Sequence, residues 1–337
     1  MSSGDVHEKR GKDWKGRLLS SGLPLEQMVA EVLADRRMLL CGPYSYSRKT
    51  VAAEHPERSV DIRASALLAG IPGIEGWIEM LAECKYSNPN IRWVFSPITS
   101  FEESFANTFC CFDQLSGVDI DERELLGAVR GWPCCGRGVA VSDDSEDARQ
   151  IARGLEQVRY ATASLLGWHF AIALEAIKGD GSRAIKGDGV VVLLPLLVTN
   201  AELWVLRRGV DLETFYGASA LEEVADKAKL IVCYEQAGSE MRGYCREQVD
   251  SLRSNYPNAD NEIGEMARKL DLLRRPIHTY WGFSYSLRML QEIMVYATQK
   301  VLVVSLSALP SCVPALLDTI NDAAKHAHRY GGESGEG

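Results

Sequence analysis

The chain has 337 residues, of which 46% are hydrophobic and 25% are charged. These proportions are typical of a folded globular protein, and they exclude disorder, collagen and coiled coil for the whole chain. The formal net charge of −9 excludes nucleic-acid binding through bulk positive charge, although a local basic groove remains compatible with it. Nine cysteines without a CxxC pair predict reduced thiols in the cytoplasm. No apolar run approaches the roughly 20 residues that a membrane helix needs.

The first half of the chain predicts one helix and then several strands. Residues 1–20 are polar and mixed in charge, which predicts a flexible tail. In the helix that follows, Pro24 suits the first turn and apolar residues recur at helical spacing on one face. Strand-like apolar runs then come at 38–46, 60–68, 77–86 and 92–98.

The second half predicts a long helix followed by buried strands. Residues 142–147 supply a hydroxyl and acids where a helix begins, and apolar spacing continues to about residue 177. A glycine-rich repeat of the hexapeptide AIKGDG follows and predicts a flexible loop. We expect further strands within 190–206, 230–234 and 301–306, and helices in the second half of 250–273 and over 285–298. Strands that alternate with helices predict an α/β fold with a mixed sheet.

Two of the strand-like runs carry the side chains that suggest chemistry. Asp61 lies in one run, and Glu83 and Lys85 lie in the next. Because side chains alternate along a strand, Glu83 and Lys85 point to the same face, and the turn-rich connection over 70–76 would bring Asp61 beside them. Two carboxylates supply oxygen ligands for Mg²⁺, and an adjacent lysine can orient a water and stabilise charge in the transition state.

These residues resemble the core motif of the PD-(D/E)xK nuclease superfamily, which is also called the restriction-endonuclease-like fold. Asp61 matches the first acid of that motif, and the segment 83–85, Glu-Cys-Lys, matches its second block. Val60 stands where the family has a proline, which departs from the pattern. The resemblance extends in element order over residues 22–206.

The same resemblance assigns roles to two predicted helices. Glu26, on the first helix, matches the family's helix glutamate and would take part in catalysis. Gln157, on the long helix, is similar to a polar residue in some member families. Arg149 and Arg153 are four residues apart on that helix, share a face, and are candidates with Gln157 for substrate binding. The alternative for all four side chains is an ordinary solvated helix surface.

The resemblance implies a fold and a division of the chain. The fold would be an α/β restriction-endonuclease-like core, with a mixed central sheet flanked by helices, and a mainly helical C-terminal extension. A flexible tail is expected over 1–20 and the nuclease-like domain over 21–240. The extension over 241–330 would return a strand to the sheet, and a disordered tail would occupy 331–337.

The activity implied by the resemblance is Mg²⁺- or Mn²⁺-dependent hydrolysis of DNA phosphodiester bonds, as in bacterial defence, restriction or DNA repair. Asp61 and Glu83 would bind the metal, and Lys85 would position the attacking water. A homodimer could cut both strands, and membership of a larger complex is the other expected assembly. RNA is the alternative substrate. A catalytically silent nuclease-fold subunit with a binding or scaffold role is the alternative function.

Other candidate sites have simpler explanations. The adjacent cysteines at 110–111 and at 134–135 would bind one metal poorly and are predicted to be buried or loop thiols. His169 falls on an apolar helix face, which predicts a core position, and Glu79 is predicted to be exposed. Basic and aromatic residues over 274–288 suit either base stacking or a packed aromatic corner. No motif for an ATPase, a dinucleotide-dependent enzyme or a serine hydrolase is present.

Overall fold

The computed structural model describes residues 14–48, 57–69, 75–98, 110–113, 118–119, 131–142, 145–178, 188–269, 287–326 and 328–329. Its helices are α1 (Trp14–Ser20), α2 (Leu23–Asp35), α3 (Ala148–Lys178), α4 (Leu212–Gly217), α5 (Ser239–Asn255), α6 (Ala259–Lys269), α7 (Leu287–Ala297) and α8 (Leu309–Lys325). Its strands are β1 (Leu39–Ser47), β2 (Glu57–Leu67), β3 (Glu75–Lys85), β4 (Arg92–Pro97), β5 (Cys110–Asp113), β6 (Val118–Asp119), β7 (Cys134–Ser142), β8 (Ser145–Asp147), β9 (Asp188–Thr199), β10 (Glu202–Leu206), β11 (Ala225–Ala228), β12 (Leu230–Tyr234), β13 (Lys300–Ser305) and β14 (His328–Arg329).

Twelve of the strands form one sheet in the order β1-β2-β3-β9-β13-β12-β7-β4-β10-β11, with β5 added beside β9 and β8 beside β7. Strands β1, β2 and β3 are antiparallel, whereas β3 pairs with β9, and β9 with β13, in parallel. The predicted α/β class with a mixed sheet flanked by helices is therefore confirmed. The narrower expectation of a restriction-endonuclease-like core stays a prediction.

The sheet is covered by helices on both faces, and β9 shows why. Its alternate residues Val192, Leu194 and Leu196 pack into the apolar cluster that contains α2 and α8. The intervening residues Val191 and Leu193 pack into the cluster that contains α3, α5, α6 and α7. Burial on both faces explains why this strand is apolar throughout, as strands with parallel neighbours usually are.

The beginnings of α2 and α3 follow from their sequences. Pro24 lies in the first turn of α2, as predicted. At the start of α3 the side chain of Asp147 accepts a hydrogen bond from the backbone N–H of Arg149 at 2.7 Å. His169, on α3, is buried as predicted. Within the described parts of the chain, no helix combines the length and the apolar character that a membrane crossing requires.

The C-terminal part departs from the prediction in one respect. Helix α6 confirms that the second half of 250–273 is helical as far as the described residues extend, to Lys269. The first residues of that range are helical too, because α5 begins at Ser239 and continues to Asn255. Buried residues at helical spacing stabilise α5, namely Met241, Tyr244, Cys245, Val249 and Leu252. The predicted strand near 301–306 is β13, and it lies between β9 and β12 in the interior of the sheet.

Candidate active site

Strands β2 and β3 stop pairing at the position of the candidate site. Their ladder runs from Leu67 opposite Trp77 to Ile62 opposite Ala82. One residue beyond it, Asp61 Oδ2 accepts a hydrogen bond from the backbone N–H of Cys84 at 2.7 Å, so a side chain replaces the next ladder bond. The preceding residues of β2 pair only with β1 in the described structure. Asp61 therefore stands where the two strands separate.

Glu83 and Lys85 lie on the face of β3 that packs against α3, as period-2 alternation predicts. Lys85 Nζ donates a hydrogen bond to Glu83 Oε1 and another to Gln157 Oε1, the latter at 2.9 Å. Gln157 Nε2 in turn donates to the Ser59 carbonyl at 3.3 Å. Gln157 thus connects α3 to β2 and to β3, and the structure brings it together with Asp61, Glu83 and Lys85.

Glu83 is a buried carboxyl in a charged neighbourhood. Its side chain is 1% exposed, and its Oε2 is buried without a hydrogen-bond partner among the described residues. Burial and, second, the negative charge of Asp61 raise the pKa of Glu83 to about 7, against the lowering effect of Lys85. Burial also raises the pKa of Asp61, against the lowering effects of the Cys84 N–H and of Lys85. Ionisation of Asp61 and Glu83 in this site therefore costs free energy relative to ionisation in water.

Glu26 reaches the same site from the other helical layer. It lies in the first turn of α2, and its pKa is raised by partial burial and then by the charge of Asp61, while Lys85 lowers it. Gly22, at the start of α2, has φ of +85°, and a Cβ there would lie 3.1 Å from Glu26 Oε1. A glycine at this turn therefore suits both the left-handed backbone and the close approach of the Glu26 side chain.

A divalent cation is implied by the resemblance, and the donor set partly fits one. Asp61 and Glu83 offer carboxylate oxygens, which hard cations prefer, and Glu83 Oε2 makes no competing hydrogen bond to the part of the chain that the structure describes. A cation would also offset the mutual repulsion that raises the carboxyl pKa values. Among the described residues, however, no group of three or more His, Cys, Asp or Glu side chains is already arranged to hold a metal.

A cleft of about 420 Å³ opens beside Lys85. It lies between the end of β3 and the first half of α3, and its lining includes Lys85, Tyr86, Ser87, Gln150, Arg153 and Gln157. Arg153 is exposed there, as substrate binding would require. Arg149 is exposed at the start of α3 and is not among the lining residues. The structure therefore brings Arg153 and Gln157, but not Arg149, to the cleft.

The prediction that Glu79 is exposed is wrong. Glu79 is 4% exposed rather than on the surface, because Arg63 on β2 forms two hydrogen bonds to its carboxylate, at 2.9 and 3.0 Å. The Arg63 guanidinium also lies 4.7 Å from the centre of the Trp168 ring on α3. Glu79 is four residues before Glu83 on the same face of β3, so this ion pair fixes β2 against β3 next to the site.

Two polar residues that line the cleft, Gln150 and Ser87, and a third that bonds to Ser87, Asn200, were not predicted from the sequence as site residues. Gln150, Ser87 and Asn200 are joined by hydrogen bonds around the end of β3. One signal was available for Gln150, because it precedes Gln157 by two helical turns and so shares its face. Another was the polar Thr199 and Asn200 between two apolar runs.

The remaining candidates do not join this site. Cys134 and Cys135 are free thiols on β7, and burial raises the pKa of both. The structure describes the backbone but not the side chains of the cysteines at 110–111. Most of the basic and aromatic cluster over 274–288 lies outside the described residues, as do residues 1–13 of the predicted tail over 1–20 and the predicted tail over 331–337. Residues 14–20 of the first of these tails form helix α1.

Comparison of the chain with protein-family models, with curated proteins and with solved structures gives no match. The geometry of the site itself therefore has to support any assignment of function.

Proposed function

We propose that the protein is a metal-dependent nuclease of the PD-(D/E)xK type that hydrolyses DNA phosphodiester bonds. The observation that carries the proposal is the position of Lys85. Its amine is bonded to Glu83 and Gln157, it lies at the wall of a cleft, and Asp61 adjoins it through the Cys84 N–H. A half-buried lysine beside two carboxylates and open to a cleft can stabilise the negative charge that develops in phosphodiester hydrolysis.

Each residue of the site would have a distinct role in the reaction. Asp61 and Glu83 would hold Mg²⁺ or Mn²⁺, with Glu26 near enough to influence their charge. When bound, the metal would supply Lewis-acid stabilisation of the phosphate. Lys85 would orient the attacking water and stabilise the negative charge that develops on the phosphate oxygens. The water oxygen attacks phosphorus and the bond to O3′ breaks, which leaves a 5′-phosphate and a 3′-hydroxyl.

Substrate contacts would come from α3. Arg153 and Gln157 lie about one helical turn apart on α3, and both line the cleft. Arg153 is exposed, so its side chain would reach a phosphate of the substrate. RNA is the alternative substrate, since this chemistry does not depend on the sugar. Assembly as a homodimer or within a larger complex, a cytoplasmic location and a role in defence or repair belong to the same proposal and rest on the sequence alone.

A second candidate function is a catalytically silent, binding subunit. The observation that favours it is that the Lys85 amine is already bonded to Glu83 and Gln157, while no preformed metal group occurs among the described residues. In that case the ion pair would stabilise the β3–α3 contact rather than promote a reaction.

Plasmid cleavage separates the two candidates. Supercoiled plasmid is incubated with the protein and Mg²⁺ or Mn²⁺, beside Asp61→Asn, Glu83→Gln and Lys85→Met variants. The matched control is Lys227→Met, which removes an exposed lysine paired with Glu202. We expect metal-dependent nicking by the wild type and the control, and its loss in the three site variants. No cleavage of DNA or RNA by the wild type, or equal cleavage by Lys85→Met, would overturn the proposal.

A further inference from the structure

The end of β3 is fixed by side chains after its ladder with β9 finishes. The last ladder pair is Lys85 opposite Thr199. Asn200 follows β9 directly, and its side chain makes two hydrogen bonds to the backbone of Ser87, in place of a further backbone pair between the strands. Its Oδ1 accepts from the Ser87 N–H at 2.7 Å, and its Nδ2 donates to the Ser87 carbonyl at 2.8 Å. The chain just beyond Lys85 is therefore held on its β9 side.

Helix α3 holds the same segment from the other direction. Gln150 Nε2 donates to the Tyr86 carbonyl at 2.7 Å, and Gln150 Oε1 accepts from Ser87 Oγ at 3.3 Å. Trp93 Nε1 donates to Ser87 Oγ at 3.1 Å. Ser87 is 2% exposed, so the hydrogen bond from Trp93 is shielded from water, whereas the two bonds of Gln150 are half-buried at the wall of the cleft. Gln150, Ser87, Asn200 and Trp93 are called the β3 clamp below.

Gln150, the member of the β3 clamp that belongs to α3, lies on the helix face that contacts Lys85. Gln150 and Gln157 are two turns apart on one face, and Gly154 lies between them. A Cβ at Gly154 would lie 2.6 Å from Leu197 Cδ1 and 3.2 Å from Lys85 Cγ, so the helix backbone packs directly on the lysine side chain. The position of the Lys85 amine therefore depends on how this face of α3, with Gln150, Gly154 and Gln157, packs against the end of β3.

We propose that Gln150 is a positioning residue for Lys85. By bonding the Tyr86 carbonyl, Gln150 fixes the main chain directly after Lys85, and the lysine amine then meets both Glu83 and Gln157. Its effect on turnover rests on the proposed function, whereas its effect on Lys85 does not. Without Gln150 the Tyr86 carbonyl loses its half-buried donor on α3, and the end of β3 can shift relative to α3.

The first test needs no nuclease activity. Acylation of Lys85 by an amine-reactive ester is followed by peptide mass spectrometry in the full-length wild type, Gln150→Met and the exposed control Gln236→Met. We expect the rate at Lys85 to rise roughly tenfold in Gln150→Met, as release of one half-buried hydrogen bond allows, with no change in the control. If Gln150→Met fails to fold, Gln150→Glu serves instead, because it keeps the shape but cannot donate to Tyr86. Unchanged Lys85 reactivity in a folded variant overturns the proposal.

The second test uses cleavage kinetics. For Gln150→Met we expect kcat to fall roughly tenfold or more with KM within about twofold, because misplacement of a reacting group affects turnover more than binding. A raised KM at unchanged kcat would overturn the proposal and make Gln150 a substrate contact. If the wild type cleaves nothing, the proposed function fails, and the acylation result alone decides the role of Gln150.

Discussion

Two opposing influences act on the pKa of Glu83. Its burial favours the neutral form, whereas its hydrogen bond from Lys85 favours the ionised form. The net result is a pKa raised to about 7 from the ordinary 4.5. At neutral pH the side chain is therefore close to its midpoint, and modest changes around it, including arrival of a cation, would ionise it.

This raised pKa predicts how stability depends on pH. The folded state binds the Glu83 proton more tightly than the unfolded state, so its contribution to stability is complete below about pH 4.5 and is lost as pH rises toward 7. We expect the metal-free wild type to lose up to about 3 kcal/mol of unfolding free energy over this range relative to Glu83→Gln.

Urea unfolding in the presence of a chelator, at pH values from 4.5 to 8, measures that difference. Glu213→Gln, on the exposed helix α4, is the matched control and should follow the wild type at every pH. A wild type that becomes more stable relative to Glu83→Gln as pH rises would contradict the raised pKa.

At the scale of elements, the close seating of α3 on β3 and β9 depends on Gly154. We expect Gly154→Ala to destabilise the protein by about 1–3 kcal/mol, because the added methyl would overlap Leu197 and press on Lys85. The gain in helix propensity from alanine, about 1 kcal/mol, offsets only part of this cost.

The comparison is Gly243→Ala, which lies within α5 and would place its methyl in open space. There the propensity gain should appear alone, as a stabilisation of up to about 1 kcal/mol. Chemical denaturation of both variants gives the two values. Equal effects at the two glycines would show that α3 is not packed against Lys85 as described.

The sequence predicts elements better than it predicts how they meet. Glu83 and Lys85 were placed on one face correctly because alternation is a local property of a strand. The separation of β2 from β3 at Asp61 could not be predicted, because it depends on where the pairing of the two strands stops. Glu79 was wrongly expected on the surface, since its partner Arg63 belongs to another strand. The spacing of Gln150 from Gln157 indicates a shared helix face, but the sequence does not show that Gln150 bonds the Tyr86 carbonyl, because a backbone partner leaves no mark in the sequence.

At the scale of the molecule, the sheet connects the N-terminal and C-terminal parts of the chain. Val303 on β13 is fully buried and lies opposite Leu197 of β9 on one side and Ile231 of β12 on the other. Pairing therefore continues across residue 240, where the sequence had suggested a boundary. We expect the described sheet to unfold as one cooperative unit.

Val303→Thr tests this expectation, because it places a hydroxyl in the apolar interior and should cost about 1–3 kcal/mol. Tryptophan fluorescence and far-UV circular dichroism should report a single, coincident unfolding transition that is shifted to lower denaturant. Val205→Thr, at a half-buried position on β10, should shift the transition less. Two separated transitions would show that the parts on either side of residue 240 unfold independently.

The interior place of β13 has a consequence for biosynthesis. During translation, β9 leaves the ribosome long before β13, and one edge of its C-terminal half stays unpaired until residues 300–305 arrive. At roughly 5–20 residues per second, this interval lasts several seconds or more. The sheet that supports Lys85 is therefore completed late, and a chain released early would lack its central strand. Under the proposed function, a ribosome-bound or truncated product would carry all the site residues, which precede residue 158, on a sheet that still lacks its central strand.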